Sequence, residues 1–381
     1  MTRPSPGRPL AEAIAAEKFV EIYGQAPELT TWAPGRVNLI GDHTDTSEGF
    51  VLPVALGLGV GIALRPLAAS RARLRSLDSG GVWEGRWGRT VGTSGWERYP
   101  QAVASSLLQE GYDPPGCEAL IASDLPMEEG LGSSAALQVA FARGLLGLLG
   151  KEMDPVHIAQ VCQRAESEYV GVRCGIMDPF CSSVGRHPMA IFIDTRSLEH
   201  RFLGLPSACR VAVVASGVSR DLATSPYNQR RREVESASRH LGLPNLRDLP
   251  ASGAEGLINT LPSPERQRAR HVFSENARVL DAVQALETGD PVRLGRLMNE
   301  SHVSLRDDFQ ASCHELDLLT SILRGHPGCH GARLTGAGFG GAAVCLVEAG
   351  RAEQVLSEAL SEYARNIAGE SPPVLALIPH P

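Results

Sequence analysis

The chain has 381 residues, enough for two domains or one large one, and its 43 % hydrophobic and 21 % charged content is that of an ordinary globular protein. Thirty-six basic against 43 acidic residues leave a net charge of −7, so no overall positive field exists to hold a nucleic acid by counterion release. The longest apolar run, Phe50 to Leu64, falls short of the roughly 18 residues a membrane span needs and is interrupted by Pro53, Gly57, Gly59 and Gly61, so neither nucleic acid nor membrane is an expected partner.

Along the chain, Leu10, Ile14, Phe19, Val20 and Tyr23 recur at helical spacing over residues 9–23, while Glu12 and Glu17 break the apolar stretch a signal peptide would need. The run from Phe50 to Leu64 reads as two buried strands and a turn. A strand is expected over 71–77, a helix over 96–110, a strand over 118–122 and an alanine- and leucine-rich helix from Ala135 to Leu149. Asp154-Pro155 opens a helix over 155–170 with an N-cap and a first-turn proline. Further strands are expected over 189–194, 211–215, 343–347 and 373–378. Strands and helices mix without strict alternation, which favours an α+β fold over a doubly wound sheet. The pattern breaks between Thr195 and Ser207, placing one domain over 1–200 and a second over 201–381. Eight scattered cysteines, never spaced as CxxC, are the pattern of reduced, buried thiols in a cytoplasmic protein.

Four segments carry chemistry. The first, Ala33-Pro-Gly-Arg36-Val-Asn38-Leu-Ile-Gly41-Asp42-His43-Thr44-Asp45, gathers an arginine, an asparagine, a histidine and two aspartates among small residues. Such a cluster is costly to bury unless its members pair or bind something. It reads as a sugar site, because carboxylates and an imidazole suit vicinal hydroxyls, as the start of an iron site through His43 and Asp45, or as a polar surface turn. In the second, a strand from Cys117 leads through a loop containing Gly130 and Gly132 into the helix at Ala135. A helix N-terminus offers unpaired N–H groups and the positive end of its dipole to a polyphosphate; the bland alternative is a tight turn with a serine N-cap. The Lys-Ser/Thr pair of a Walker loop is missing. Lys18 and Lys151 are the only lysines, so a nucleotide would be held by backbone, arginine and metal.

The third segment, Gly171 to Phe180, follows the helix carrying Glu166 and sets Asp178 before Pro179. That aspartate is either a helix N-cap or a catalytic base held among apolar neighbours. The fourth, Gly336-Ala-Gly338-Phe-Gly340-Gly341, spells G-x-G-x-x-G, but strand-like Ala342 to Val347 follows it, which rejects a dinucleotide fold. A glycine turn between a helix end and a strand is expected there.

In this order and spacing the segments resemble the galactokinases of the GHMP kinase superfamily. Pro34 to Asp45 is similar to the galactokinase signature, and Gly130-Leu131-Gly132-Ser133-Ser134 to the superfamily phosphate loop. Cys174-Gly175-Ile-Met-Asp178 is similar to the segment bearing the catalytic aspartate, Leu334 to Gly341 to the third motif, and Ser225-Pro-Tyr227-Asn-Gln-Arg-Arg to a tyrosine-containing sugar contact. The resemblance implies two α+β domains, the N-terminal one of the ribosomal protein S5 domain 2-like type, with the active site between them. It implies an enzyme that uses ATP and Mg²⁺ to phosphorylate the anomeric hydroxyl of a galactose-like sugar. By the same resemblance Asp178 is the base and Arg36 the neighbour that keeps it ionised. Asp42, His43, Asp45, Gly175 and Tyr227 are sugar contacts, the backbone of Gly130, Leu131, Gly132, Ser133 and Ser134 cradles the phosphates, and Ser134 and Glu166 hold Mg²⁺. A monomer is expected.

Four departures stand out: Asp42 for a glutamate that in the galactokinases reaches the sugar's C6 hydroxyl, Thr46-Ser47-Glu48 for Tyr-Asn-Gly, Glu128 for the first glycine of the phosphate loop, and Pro179 for the glutamine after the base. The first two alter one side of the sugar pocket and keep a second sugar, such as N-acetylgalactosamine, as an alternative substrate. A non-catalytic galactose and ATP sensor is the other alternative, against which the intact Ser133, Ser134 and Asp178 argue.

Overall fold

The structure is a computed structural model and describes residues 9–67, 71–88, 95–126, 129–218, 226–367 and 374–378. Glu128 and Ser225 lie outside the described residues, as does residue 373, the first of the strand expected over 373–378. The described residues of Met1–Arg36, Leu56–Met127 and Gly132–Gly185 form one unit, and those of Val37–Ala55, Glu128–Leu131 and Arg186–Pro381 form the other.

In the first unit, Pro53–Pro66 pairs antiparallel with Cys117–Ser123. Cys117–Ser123 runs parallel to Arg71–Ser76, which in turn pairs antiparallel with Val82–Arg86. The helix Leu10–Tyr23 lays Ala15 and Phe19 on Ala63, Leu120 and Ala122 of this sheet. The glycines of the apolar run serve packing and make no turn. A Cβ on Gly59 would lie 2.2 Å from the Ala33 carbonyl oxygen and one on Gly61 2.3 Å from the Glu12 nitrogen, so only glycine lets these backbones approach, and the strand continues unbroken. Helices Arg98–Gln109, Ser133–Leu148, Pro155–Arg164 and Met177–Val184 pack together. Ser133–Leu148 is buried around most of its circumference, as its alanines and leucines allow. Asp154 caps Pro155–Arg164 by accepting from Val156 N at 2.9 Å, and a π-helical turn over Ala165–Val170 replaces the last part of the expected helix.

The second unit is built on a four-stranded sheet, ordered Cys329–Leu334, Ala342–Glu348, Cys209–Ala215 and Val374–Ile378, all neighbours antiparallel. Its core joins this sheet to helices of the C-terminal half through Val214, Leu334, Cys345, Val272, Phe309, Leu319 and Leu356. The glycine run 336–341 therefore links two antiparallel strands, not a helix end and a strand. Gly338 fits there because a Cβ would lie 2.1 Å from the Ala311 carbonyl oxygen.

A single break near residue 200 is not what the structure has. His200–Leu203 is a strand paired with Ala190–Asp194, so the charged stretch expected to separate the domains lies inside the second unit. Residues 37–55 also belong there, because their backbone is held by that unit's side chains: Glu275 on Gly41 N, Thr335 on Asn38 N and Asn276 on Phe50 N. Such long-range hydrogen bonds are invisible to local sequence pattern. Among the described residues no helix is long and apolar enough to cross a membrane.

Two histidines of the second unit are buried and neutral. Burial pushes His271 down to about 4 and, helped by Arg324 and Arg333, His302 down to about 3. His302 Nδ1 accepts from Leu334 N at 3.3 Å, which fixes its proton on Nε2, facing Thr320 Oγ at 3.0 Å. The unfolded imidazole titrates near about 6.5, so below that pH the unfolded chain takes up protons that the folded chain refuses, and stability falls as pH falls toward 4. Replacing His302 by Asn, which keeps an acceptor for Leu334 N, should flatten the pH dependence of urea unfolding between pH 6 and 5 by up to about 1.4 kcal/mol per pH unit. An unchanged slope would mean that His302 carries its proton in the native state.

Candidate active site

In the first unit, the strand Leu29–Asn38 delivers Arg36 with its side chain 5 % exposed, opposite Asp178 in the first turn of Met177–Val184. Arg36 Nε donates to Asp178 Oδ1 at 2.7 Å and a terminal guanidinium nitrogen donates to Oδ2, a two-pronged fork that fixes the plane of the carboxylate. Asp178 is not the helix cap. The cap position is Ile176, without a side-chain cap bond, and the carboxylate, 29 % exposed, turns to Arg36.

Gly132, at the end of the glycine loop, lies beside Arg36. Gly130 and Gly132 both have positive φ, 73° and 75°, which glycine alone adopts without cost, and Gly132 is the N-cap residue of Ser133–Leu148. No side chain caps that helix, so its first N–H groups stay available to an anion, contrary to a serine N-cap. A Cβ on Gly132 would lie 3.3 Å from Arg36 Cγ, so the loop, the helix start and the arginine fork are packed against one another.

Glu166 completes the cluster. It is buried in the π-helical turn, accepts from Gln138 Nε2 at 3.0 Å and from Ser134 Oγ at 3.4 Å, and its carboxyl is raised to about 7 by burial and by the nearby charge of Asp178. Those two hydrogen bonds act the other way and favour the ionised form. A carboxylate and a hydroxyl are hard oxygen donors of the kind Mg²⁺ takes. Beside them Gln138 Oε1 is buried without a hydrogen-bond partner among the described residues, as befits a place completed by a cation and its waters. The donor set fits such an ion.

In the second unit the signature turns sharply at His43, whose φ is 65°. Its ring stacks on Phe309 with centroids 4.3 Å apart and faces Tyr227, the first residue of the helix Tyr227–His240, at 5.7 Å. Asp45 begins a short 3₁₀ turn, Asp45–Ser47, and is partly buried. His43 and Tyr227, expected from sequence to contact the same sugar, are neighbours through their rings, with Phe309 as a third ring that no motif marked. Glu48 ends the altered turn with its carboxylate on Arg196 at 2.6 Å, and Arg247 holds its carbonyl. Asp42 is engaged in a way the sequence did not suggest. Arg333 donates to Oδ2 and Gly336 N to Oδ1 at 3.1 Å, so both oxygens take bonds from the end of the strand Cys329–Leu334 and the turn after it. Among the described residues no group of three or more His, Cys, Asp or Glu side chains could hold a metal, which leaves the iron reading of His43 and Asp45 without a third ligand.

Arg333, Gln138, Phe309 and Glu275 are the site residues the sequence reading missed. Arg333 carried a signal: an arginine in Gly331-Ala-Arg-Leu-Thr, between apolar residues of a strand, must be buried with a partner.

Comparison with known proteins agrees with this geometry. Residues 98–186 match the family described as GHMP kinases N terminal domain and residues 282–366 that described as GHMP kinases C terminal. Residues 17–66 match the galactokinase galactose-binding signature. A galactokinase from Roseiflexus sp. (strain RS-1) is 42 % identical over 358 residues, 91 % of this chain and 90 % of that one. The crystal structure of Lactococcus lactis galactokinase complexed with galactose superposes with a TM-score of 0.88 at 27 % identity, covering 97 % of this chain and 99 % of that one. Methanococcus jannaschii mevalonate kinase, at 18 % identity and a TM-score of 0.66 over 92 % of this chain and 98 % of that one, shares the fold. A two-unit α+β GHMP kinase is therefore what the fold and the site define. Within that class the chain belongs to the galactokinase family.

Proposed function

We propose that the chain transfers the γ-phosphoryl group of ATP to the anomeric hydroxyl of D-galactose, giving α-D-galactose 1-phosphate and ADP. The observation that carries this reading is the Arg36 fork on Asp178, packed against Gly132 and within electrostatic reach of Glu166. In this reading Asp178 is the base, the start of Ser133–Leu148 takes the phosphates and Glu166 with Ser134 takes the cation, and the proximity of these residues within one unit supports it. His43, Asp45 and Tyr227 carry groups suited to sugar hydroxyls, and the family resemblance gives Gly175 a sugar contact as well.

In the transfer, the bond from the sugar's O1 to the γ-phosphorus forms as the bond from that phosphorus to the β,γ-bridging oxygen breaks, and the hydroxyl proton passes to a carboxylate oxygen of Asp178. Arg36 holds that carboxylate in one orientation and places positive charge beside the group in transit. The N–H groups at the start of Ser133–Leu148, with the backbone of Gly130 to Ser134, hold phosphate oxygens where the sequence offers no lysine. Mg²⁺, when bound by Glu166 and Ser134, supplies positive charge to the polyphosphate. None of the eight cysteines forms a disulfide, which accords with work in the cytoplasm.

The test is Mg-ATP with D-galactose, product identity being read by NMR. Galactose 1-phosphate of α configuration is expected. Galactose binding without ADP above the sugar-free rate would establish a sensor, and faster turnover of N-acetylgalactosamine would move the substrate.

Replacing Asp178 by Asn should lower kcat by about 10²- to 10⁴-fold while calorimetry still detects galactose and ATP. A variant with wild-type kcat would remove Asp178 from the chemistry.

Because a cation must displace the proton that burial keeps on Glu166 up to about 7, Mn²⁺ binding to the nucleotide complex should weaken as pH falls from 8 to 6. In Glu166→Gln it should be at least about tenfold weaker at pH 8, and nearly independent of pH. Identical Mn²⁺ titrations of both proteins would leave Glu166 with no part in metal binding.

A further inference from the structure

Partners between residues 271 and 336 pin the sequence Asn38-Leu-Ile-Gly-Asp42-His43 inside the second unit at six atoms. Thr335 Oγ1 takes Asn38 N at 3.0 Å and gives to Asn38 O at 3.1 Å. Glu275 Oε1 takes Gly41 N at 2.9 Å, and His271 Nε2 gives to Asp42 O at 3.1 Å. Arg333 reaches two points at once, giving to Asn38 O at 3.3 Å and to Asp42 Oδ2, while Asp42 Oδ1 takes Gly336 N.

The pair is closed off from solvent: the Arg333 side chain is 0 % exposed and that of Asp42 2 %. Arg333 Nε is buried without a partner among the described residues. A buried ion pair whose guanidinium is incompletely satisfied is a poor way to gain stability, since apolar side chains of similar volume serve as well or better. It does confer a fixed geometry, because a fork has one arrangement where an apolar contact has many. The residue so fixed is followed directly by His43, in the left-handed conformation, stacked on Phe309 and facing Tyr227.

We propose that Arg333 is a positioning residue for sugar recognition, acting through Asp42, and that Asp42 serves as the other half of this clamp and not as a reader of the sugar's C6 hydroxyl. The clamp joins the segment that ends in His43 to the first glycine of the 336–341 turn, so loosening it misplaces His43 and Asp45. The proposal rests on the galactose kinase reading above.

Four variants test it: Asp42→Asn, Arg333→Lys, Arg333→Met and the double variant Asp42→Asn with Arg333→Met. Arg333→Met leaves a buried carboxylate alone and can fail to fold; the double variant removes both charges together, and Arg333→Lys keeps the charge while losing the second prong. For the double variant we expect the galactose KM to rise on the order of 10- to 100-fold, with a much smaller change in the ATP KM and in kcat, and a smaller rise in Arg333→Lys. The ratio of kcat/KM for galactose to that for 6-deoxygalactose should stay within about twofold of wild type in Asp42→Asn, since a residue that made the C6 contact would shift it far more.

An unchanged galactose KM in the double variant overturns the clamp. A collapse of the C6 ratio in Asp42→Asn shows that Asp42 reads the hydroxyl directly and overturns its assigned role. Failure of the wild-type protein to bind or turn over galactose is a different result; it removes the functional reading itself, and this proposal with it.

Discussion

The site depends on one interaction, the fork between Arg36 and Asp178. Each partner comes from a different kind of element, Arg36 from the strand Leu29–Asn38 and Asp178 from the first turn of a short helix, 142 residues later in the chain. A buried guanidinium without a carboxylate would be strongly destabilising, and a carboxylate free to rotate would spend much of its time misaligned with a hydroxyl. The fork answers both demands, and its surroundings are shaped to it. Gly132, whose φ of 75° suits glycine, sits tightly against the arginine stem, and the same glycine starts a helix that no side chain caps. The burial that makes Arg36 need Asp178 also raises Glu166, so that a cation, if it binds there, must displace a proton.

The second unit solves a related problem by other means. His43 lies in a backbone conformation that is unfavourable for a non-glycine residue. It holds that conformation because the preceding backbone is pinned by Thr335, Glu275, His271 and Arg333 and because its ring is stacked on Phe309. Glu275 is itself committed: burial would raise its carboxyl, but Arg278 and the neighbouring cations hold it at about 2, and it accepts from Ser301 at 2.5 Å. A charged residue at the floor of the loop thus remains an acceptor for Gly41 N throughout the range in which an enzyme works.

Local pattern showed much of this in advance. Asp154-Pro155 marked its helix correctly because capping is decided within three residues, and the glycines at 130 and 132 marked a tight loop before a helix because their positive φ values suit few other residues. The same reasoning misread Gly59 and Gly61 as a turn, since what they accommodate, Ala33 and the helix start at Ala11 and Glu12, is distant in sequence. The break placed near residue 200 failed for a like reason: His200-Arg-Phe-Leu has a polar, exposed beginning typical of a linker, but its backbone pairs with Ala190–Asp194. Motif resemblance found Asp178, Arg36, Ser134 and Glu166, which the structure brings together in one unit. It said nothing of the bond between Asp42 and Arg333, because a motif names residues without saying what their side chains touch, and Arg333 lies 291 positions away.

The central claim is that Arg36 and Asp178 act as one device in the transfer step. It is tested most directly by rapid-quench single-turnover rates for Arg36→Lys, Asp178→Ala and the double variant, measured with saturating galactose and ATP. If the two residues form one unit, the double variant will transfer phosphate no more than about threefold slower than the slower single variant, because either substitution alone dismantles the fork. Losses that multiply would show two independent contributions and contradict the account.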